Sequence, residues 1–228
     1  MTGVVAACVA TLARLACGPS VHWPEGRACS GQSIFFANHS SHLDFVVLWA
    51  VLPKELRGRT RPVAARDYWQ ASWLRQYIAT RVFRTVLVDR QSRSLAQLRT
   101  QMDQLIEVLD AGDSLILFPE GTRGSGSEIG PFKSGLDYLA RQRPYIDLVP
   151  VHLHNLNGIM PKCEFLPVPQ LSQITFGRPL RLQGGESKDS TPREHRDRSR
   201  VAVAPCWGAR RPRHRYRCRP HSCPARDK

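Results

Sequence analysis

The sequence reads as an α/β domain, a largely parallel mixed sheet flanked by helices, followed by a disordered basic C-terminal tail. Three observations carry that reading. Short apolar runs alternate with helix-periodic segments between residues 33 and 176, the pattern of βαβ units. Hydrophobic residues make up 42% of the 228, enough for one core, which excludes a wholly disordered chain. The composition then breaks sharply near residue 184. Residues 185–228 hold 11 Arg, 5 Pro and 3 Cys but no Leu, Ile, Phe or Met, too little apolar surface to offset the entropy of ordering them.

The elements follow in order. Ser33–Ala37 is a short apolar run ending at Asn38-His39, a buried strand. Asp44–Leu52 is apolar and stops before Pro53, a short helix; Lys54–Arg61 reads as a basic loop and Pro62–Ala65 as a second strand. Asp67–Phe83 carries Trp69, Trp73, Tyr77 and Phe83 among arginines. It suits either an interfacial helix on anionic lipid or an ordinary amphipathic core helix. Thr85–Val88 is strand-like and runs into Asp89-Arg90. Leu95, Leu98, Met102, Leu105, Ile106 and Leu109 recur at helical spacing, with Ser94 to cap the start and Gly112 the end. Ser114–Phe118 is the next strand, Phe132–Arg143 a helix, and Leu148–Leu153 and Ile174–Phe176 further strands. No internal repeat is visible.

The net charge of +14 is unevenly spread. Residues 1–184 hold 20 basic and 14 acidic residues, the tail 13 and 5, so basicity speaks mainly for the tail. Two origins of the tail stay open: out-of-frame translation of a native helical end, or a basic arm for anionic lipid or nucleic acid. No stretch reaches the ~20 apolar residues of a transmembrane helix. The longest run, Val4–Ala16, is broken by Thr11 and Arg14 and makes a poor signal peptide. Seven cysteines without a CxxC pair argue for reduced thiols rather than a disulfide framework or zinc ribbon.

Two constellations carry chemistry. In Asn38-His39-Ser40-Ser41-His42-Leu43-Asp44, a histidine in the turn after a strand meets an aspartate in the first helical turn. Asp44 can then hold His39 in one tautomer and leave the other ring nitrogen as a base. The competing structural role is a capping box, Ser41-x-x-Asp44. Ser40 and Ser41 are poor candidates for a nucleophile, and His42 suits packing or hydrogen bonding. In Phe118-Pro119-Glu120-Gly121-Thr122-Arg123-Gly124, a strand feeds a loop with glycines, a carboxylate and an arginine. Glycines let backbone N–H groups approach an anion, and Arg123 can grip phosphate at two points. His152 and His154 alternate on a strand without the carboxylates or cysteines that would make a metal site.

Together, NHxxxxD followed by FPEGTR resembles the glycerolipid acyltransferase family, and most closely its bacterial 1-acyl-glycerol-3-phosphate acyltransferases. Val86–Arg90, Phe132–Gly135 and Val149–Val151 resemble the family's other blocks. The resemblance spans about residues 30–180, within a domain of residues 1–184, and excludes the tail. It implies acyl transfer from acyl-CoA or an acyl carrier protein thioester to lysophosphatidate or a related lipid acceptor. The attack is direct and no cofactor beyond the thioester is expected. His39 would be the general base and Asp44 its orienting partner. Arg90 and Arg123 would bind the acceptor phosphate, with Glu120, Gly121 and Thr122 completing that pocket. The implied place is peripheral, at the cytoplasmic side of a bacterial inner membrane. A rival from another class is a non-catalytic protein binding nucleic acid or anionic lipid through the tail, and no RNA-recognition or zinc-finger pattern supports its nucleic-acid form.

Overall fold

The computed structural model describes residues 2–24, 31–41, 43–90, 94–124, 129–156 and 171–181. His42 and the tail 185–228 therefore lie outside the described residues. All described residues belong to one unit, Met1–Asp189. Its elements are α1 (Thr2–Cys17), β1 (Ser20–His22), β2 (Ser33–Ala37), α2 (Asp44–Val51), α3 (Lys54–Gly58), β3 (Thr60–Ala65), α4 (Arg66–Trp69) and α5 (Trp73–Tyr77), then a π-helical turn (Ile78–Val82). They continue with β4 (Val86–Val88), α6 (Leu95–Asp110), β5 (Ser114–Leu117), α7 (Gly135–Gln142), β6 (Asp147–His154) and β7 (Gln173–Phe176).

The strands form one seven-stranded sheet in the order β1-β7-β6-β2-β5-β3-β4. Every neighbouring pair is parallel except β6–β7, so the largely parallel mixed sheet expected from the alternation is present. β2 is its central strand, and all five of its residues are buried. That explains a continuous apolar run rather than an alternating one. Because β2, β5, β3 and β4 run the same way, their carboxyl ends share one edge, where open α/β sheets bind ligands.

The core joins β2, β6 and β7 to the apolar helix α2, whose Val47, Leu48 and Ala50 are fully buried. Helix α1 lays Val5, Ala6, Val9 and Ala13 on that core at helical spacing. The Arg14 side chain donates from Nε to the Ala50 carbonyl at 2.9 Å, tying α1 to α2. Ser94 caps α6 by accepting from the Gln97 N–H. At its other end Gly112 takes φ +83°, a left-handed conformation that glycine adopts at little cost.

Three expectations need correction. The presumed loop 54–61 contains α3, because Leu56 is buried and anchors a run of good helix formers behind Pro53; β3 accordingly begins at Thr60. Segment 67–83 is no single helix. Ser72 adopts an extended conformation (φ −150°, ψ 141°) that separates α4 from α5, and α5 passes into the π-helical turn. Helix α7 starts at Gly135 rather than Phe132.

Candidate active site

The end of β2 is fixed before any chemistry is considered. Asn38 is buried, donates from Nδ2 to the Leu153 carbonyl at 2.9 Å and accepts the Leu153 N–H at 2.8 Å. Its side chain thus extends the β2–β6 ladder by one step. His39 follows immediately, at the carboxyl edge of the sheet.

Four contacts hold His39. Its Nδ1 donates to Asp44 Oδ2 at 2.8 Å. Its backbone N–H donates to Glu120 Oε1 at 2.8 Å, and its carbonyl accepts the Gly124 N–H at 2.8 Å. Its ring stacks on Phe118 with centroids 4.5 Å apart. Three of these contacts come from the 118–124 loop, so the two sequence motifs hold each other across 81 residues.

Asp44 is fully buried, and its Oδ2 also accepts the N–H groups of Ser40 (2.6 Å) and Ser41 (2.8 Å). The anticipated capping box does not form, because Leu43 is the N-cap of α2 and has no side-chain cap bond; the carboxylate instead ties the Ser40-Ser41 turn to the imidazole. A carboxylate only accepts hydrogen bonds, so Nδ1 carries the proton and Nε2 of the neutral ring keeps its lone pair. Oδ1 of Asp44 is buried and lacks a hydrogen-bond partner among the described residues.

Glu120 is 7% exposed, and its second oxygen accepts the Gly130 N–H at 2.9 Å. Both oxygens are spent on backbone donors, and Glu120 does not line the cleft. Gly121 holds φ +69°, and its N–H closes a turn onto the Phe118 carbonyl at 2.9 Å. A Cβ at 121 would collide with the Lys133 side chain, which lies across that glycine. The glycine thereby admits a lysine to the loop, a cation the sequence placed in a matching run without giving it a part.

These residues open on a cleft of about 470 Å³. His39, Phe118, Gly121, Thr122, Arg123 and Lys133 form one wall; Val63, Ala65, Tyr68, Trp69, Val88 and Arg90 form the other, with Phe45 and Leu98 adding apolar surface. One histidine, three cations, the Asp89 carboxylate and a largely hydrocarbon lining therefore share one space. Arg123 has no ion pair among the described residues, whereas Arg90 meets Asp67 at 3.5 Å in an exposed pair. Beside it Arg66 bonds to Asp89 and to the Leu87 carbonyl, both at 3.1 Å. His152 and His154 lie on β6 with ring centroids 6.1 Å apart, and no group of three metal-binding side chains occurs among the described residues.

Comparison with known proteins agrees with this architecture. The chain is 29% identical over 147 residues to a probable 1-acyl-sn-glycerol-3-phosphate acyltransferase of Mycoplasma pneumoniae, covering 64% of this chain and 52% of that protein. It is 31% identical over 158 residues to the alpha form of 1-acyl-sn-glycerol-3-phosphate acyltransferase from Bos taurus, covering 68% and 52%. The chain thus spans about half the length of these curated relatives. The crystal structure of the 1-acyl-sn-glycerophosphate (LPA) acyltransferase PlsC from Thermotoga maritima shares the fold, with a TM-score of 0.62 at 19% identity over 92% of this chain and 82% of that one. The sequence model of the acyltransferase family matches residues 19–154, which takes in β2, the His39–Asp44 pair and the 118–124 loop, and this chain belongs to that family.

Proposed function

We propose that the chain transfers an acyl group from acyl-CoA or acyl carrier protein to the free hydroxyl of 1-acyl-glycerol 3-phosphate, giving phosphatidate and a free thiol. The observation that carries this reading is the His39–Asp44 pair opening on the same cleft as Arg123, Lys133 and Arg90. In that arrangement His39 Nε2 takes the proton of the acceptor hydroxyl as its oxygen attacks the thioester carbonyl carbon. The tetrahedral intermediate collapses by breaking the carbon–sulfur bond, and the imidazolium returns its proton to the departing sulfur. Asp44 stabilises the imidazolium between these steps without itself becoming protonated. No acyl-enzyme forms, and the step balances with no cofactor beyond the thioester.

Arg123 and Lys133, with Arg90 across the cleft, suit an acceptor phosphate carrying about two negative charges near neutral pH. Gly121 and Thr122 shape that end of the cleft. Glu120 serves as a positioning residue for His39 rather than as a ligand of the phosphate. The apolar lining suits the acyl chains. A lipid acceptor calls for work at a membrane surface, which we place at the cytoplasmic face. Among the described residues no helix is long and apolar enough to cross a membrane, which fits peripheral attachment.

The test is an acyl-transfer assay of the full chain against acceptors with and without the phosphate. Turnover confined to phosphate-bearing lysolipids is the expected result. Equal turnover of 1-acyl-glycerol and its 3-phosphate would remove the phosphate-site assignment. No transfer from either thioester donor to any acceptor would remove the enzymatic reading.

A further inference from the structure

Helix α5 poses a physical problem. Three of its five residues, Trp73, Leu74 and Tyr77, are 79%, 50% and 41% exposed, and no residue of the helix is buried. Helix α5 is anchored by the π-helical turn that continues it, where Ala79 and Val82 are buried, whereas helices in proteins normally hold by burying an apolar face of their own. Here the apolar side chains are turned outward. Their hydration is unfavourable unless something covers them.

The surroundings say what that partner is. Residues 68–88 contain Arg75, Arg81 and Arg84 and no acidic residue. Arg84 is engaged with Asp113, whereas Arg75 and Arg81 have no ion pair among the described residues. Arg75 instead lies over the Tyr68 ring, 4.7 Å from its centroid. Tyr68 and Trp69 in turn line the cleft. The exposed surface is therefore continuous with the cleft's outer wall. Trp and Tyr beside Leu and arginines that have no ion pair among the described residues is the composition that partitions into the boundary between headgroups and acyl chains. A folded protein partner would leave the arginines in need of matching carboxylates, whereas an anionic headgroup layer meets them at any azimuth.

We propose that Trp73, Leu74 and Tyr77 form a docking face that inserts into an anionic phospholipid bilayer, with Arg75 and Arg81 on its headgroups. This brings the cleft wall at Tyr68 and Trp69 to the lipid surface. The proposal deepens the lipid-acceptor reading above, but its test does not depend on turnover.

The full chain is sedimented with vesicles of phosphatidylcholine containing a third phosphatidylglycerol, and its tryptophan fluorescence is followed with brominated lipid. Salt high enough to screen surface charge suppresses purely electrostatic adsorption. The double variant Trp73→Ser/Leu74→Ser is expected to bind at least about tenfold more weakly under those conditions. Trp73→Phe is expected to keep the binding and lose a clear part of the bromolipid quenching. Double substitution of Arg75 and Arg81 by Gln is expected to weaken binding at low salt and reduce its salt dependence. Unchanged vesicle binding by the double variant, or equal quenching in Trp73→Phe, overturns the proposal. So does concentration-dependent dimerisation that the same double variant abolishes, since a second copy would then be the occupant. Turnover of a short-chain, micelle-free acceptor separates the two readings. The double variant should retain it, and its absence in the parent chain would count against the enzymatic reading while leaving the docking result to stand by itself.

Discussion

The two walls of the cleft are built differently. On the β2–β5 side, His39, Asp44 and Glu120 are locked by buried carboxylates that accept backbone N–H groups, and Asn38 clamps the strand beneath them. On the β3–β4 side, Arg66, Asp67, Asp89 and Arg90 form exposed pairs at 3.1–3.5 Å. Buried charge-assisted bonds fix geometry, whereas exposed ion pairs contribute little and exchange readily with water or another anion. In the proposed reaction the first wall would hold the base for the reacting proton, and the second would let Arg90 trade Asp67 for the acceptor phosphate.

The sharpest break of that contrast is His39→Ala, which should lower turnover by ~10²–10⁴ while leaving the thermal transition close to the parent's. Near-parental turnover would leave the rigid wall without a chemical purpose. Next comes Glu120→Gln. An amide can accept one of the two backbone N–H groups but presents its own N–H to the other, leaving a buried donor unmet at about 1–3 kcal/mol. We expect kcat to fall more than the acceptor KM rises, because the damage reaches the substrate through His39. An effect on acceptor KM alone would make Glu120 a ligand of the phosphate instead.

Arg123→Ala should raise the KM for a phosphate-bearing acceptor ~10–100-fold, the loss of one charge-assisted bond of about 1.5–3 kcal/mol, and change the donor KM little. Lys at 123 should rescue only in part, since an ammonium cannot make the planar two-point contact. A smaller effect of opposite sign is expected from Asp67→Asn. Releasing Arg90 from an exposed pair should tighten phosphate-bearing acceptors by less than about fivefold, and a looser acceptor would show that Asp67 holds Arg90 in its working place. Smallest is a stability effect away from the cleft. Burial, and next to it the charge of His154, lower the pKa of His152 from its ordinary 6.5. The unfolded chain therefore binds a proton there more readily than the fold does. Stability from this site is complete above about pH 6.5 and falls as pH drops toward the lower folded value. His152→Gln should flatten denaturant midpoints measured between pH 7 and 5, and an unchanged slope would assign the acid sensitivity elsewhere.

Much of the first wall was legible because its logic is local. A strand exit, a turn and a helix start bring His39 to Asp44 whatever the remainder of the chain does. The part played by Glu120 was not legible, since its bond to His39 depends on β2 lying beside β5 in register, Phe36 opposite Leu117. The FPEGTRG pattern points equally to a carboxylate facing a ligand. Lys133 escaped assignment for a similar reason. Only the left-handed turn at Gly121, with no Cβ in the way, shows that the lysine crosses the loop. In the second wall, the composition of 67–83, aromatics among arginines, suggested one helix, and the break at Ser72 is a tertiary outcome that composition does not encode. Strand β1 is three residues long and took its place only by pairing with β7.

The account stands or falls on His39 and Asp44 acting as one unit, and a double-mutant cycle on turnover measures that directly. Turnover of 1-acyl-glycerol 3-phosphate is compared for the parent, His39→Ala, Asp44→Asn and the double variant, each checked for an intact fold. Groups that work only through each other are non-additive, so the double variant should be no slower than His39→Ala alone. Losses that multiply would contradict the account, because Asp44 would then contribute to turnover by a route that does not pass through His39.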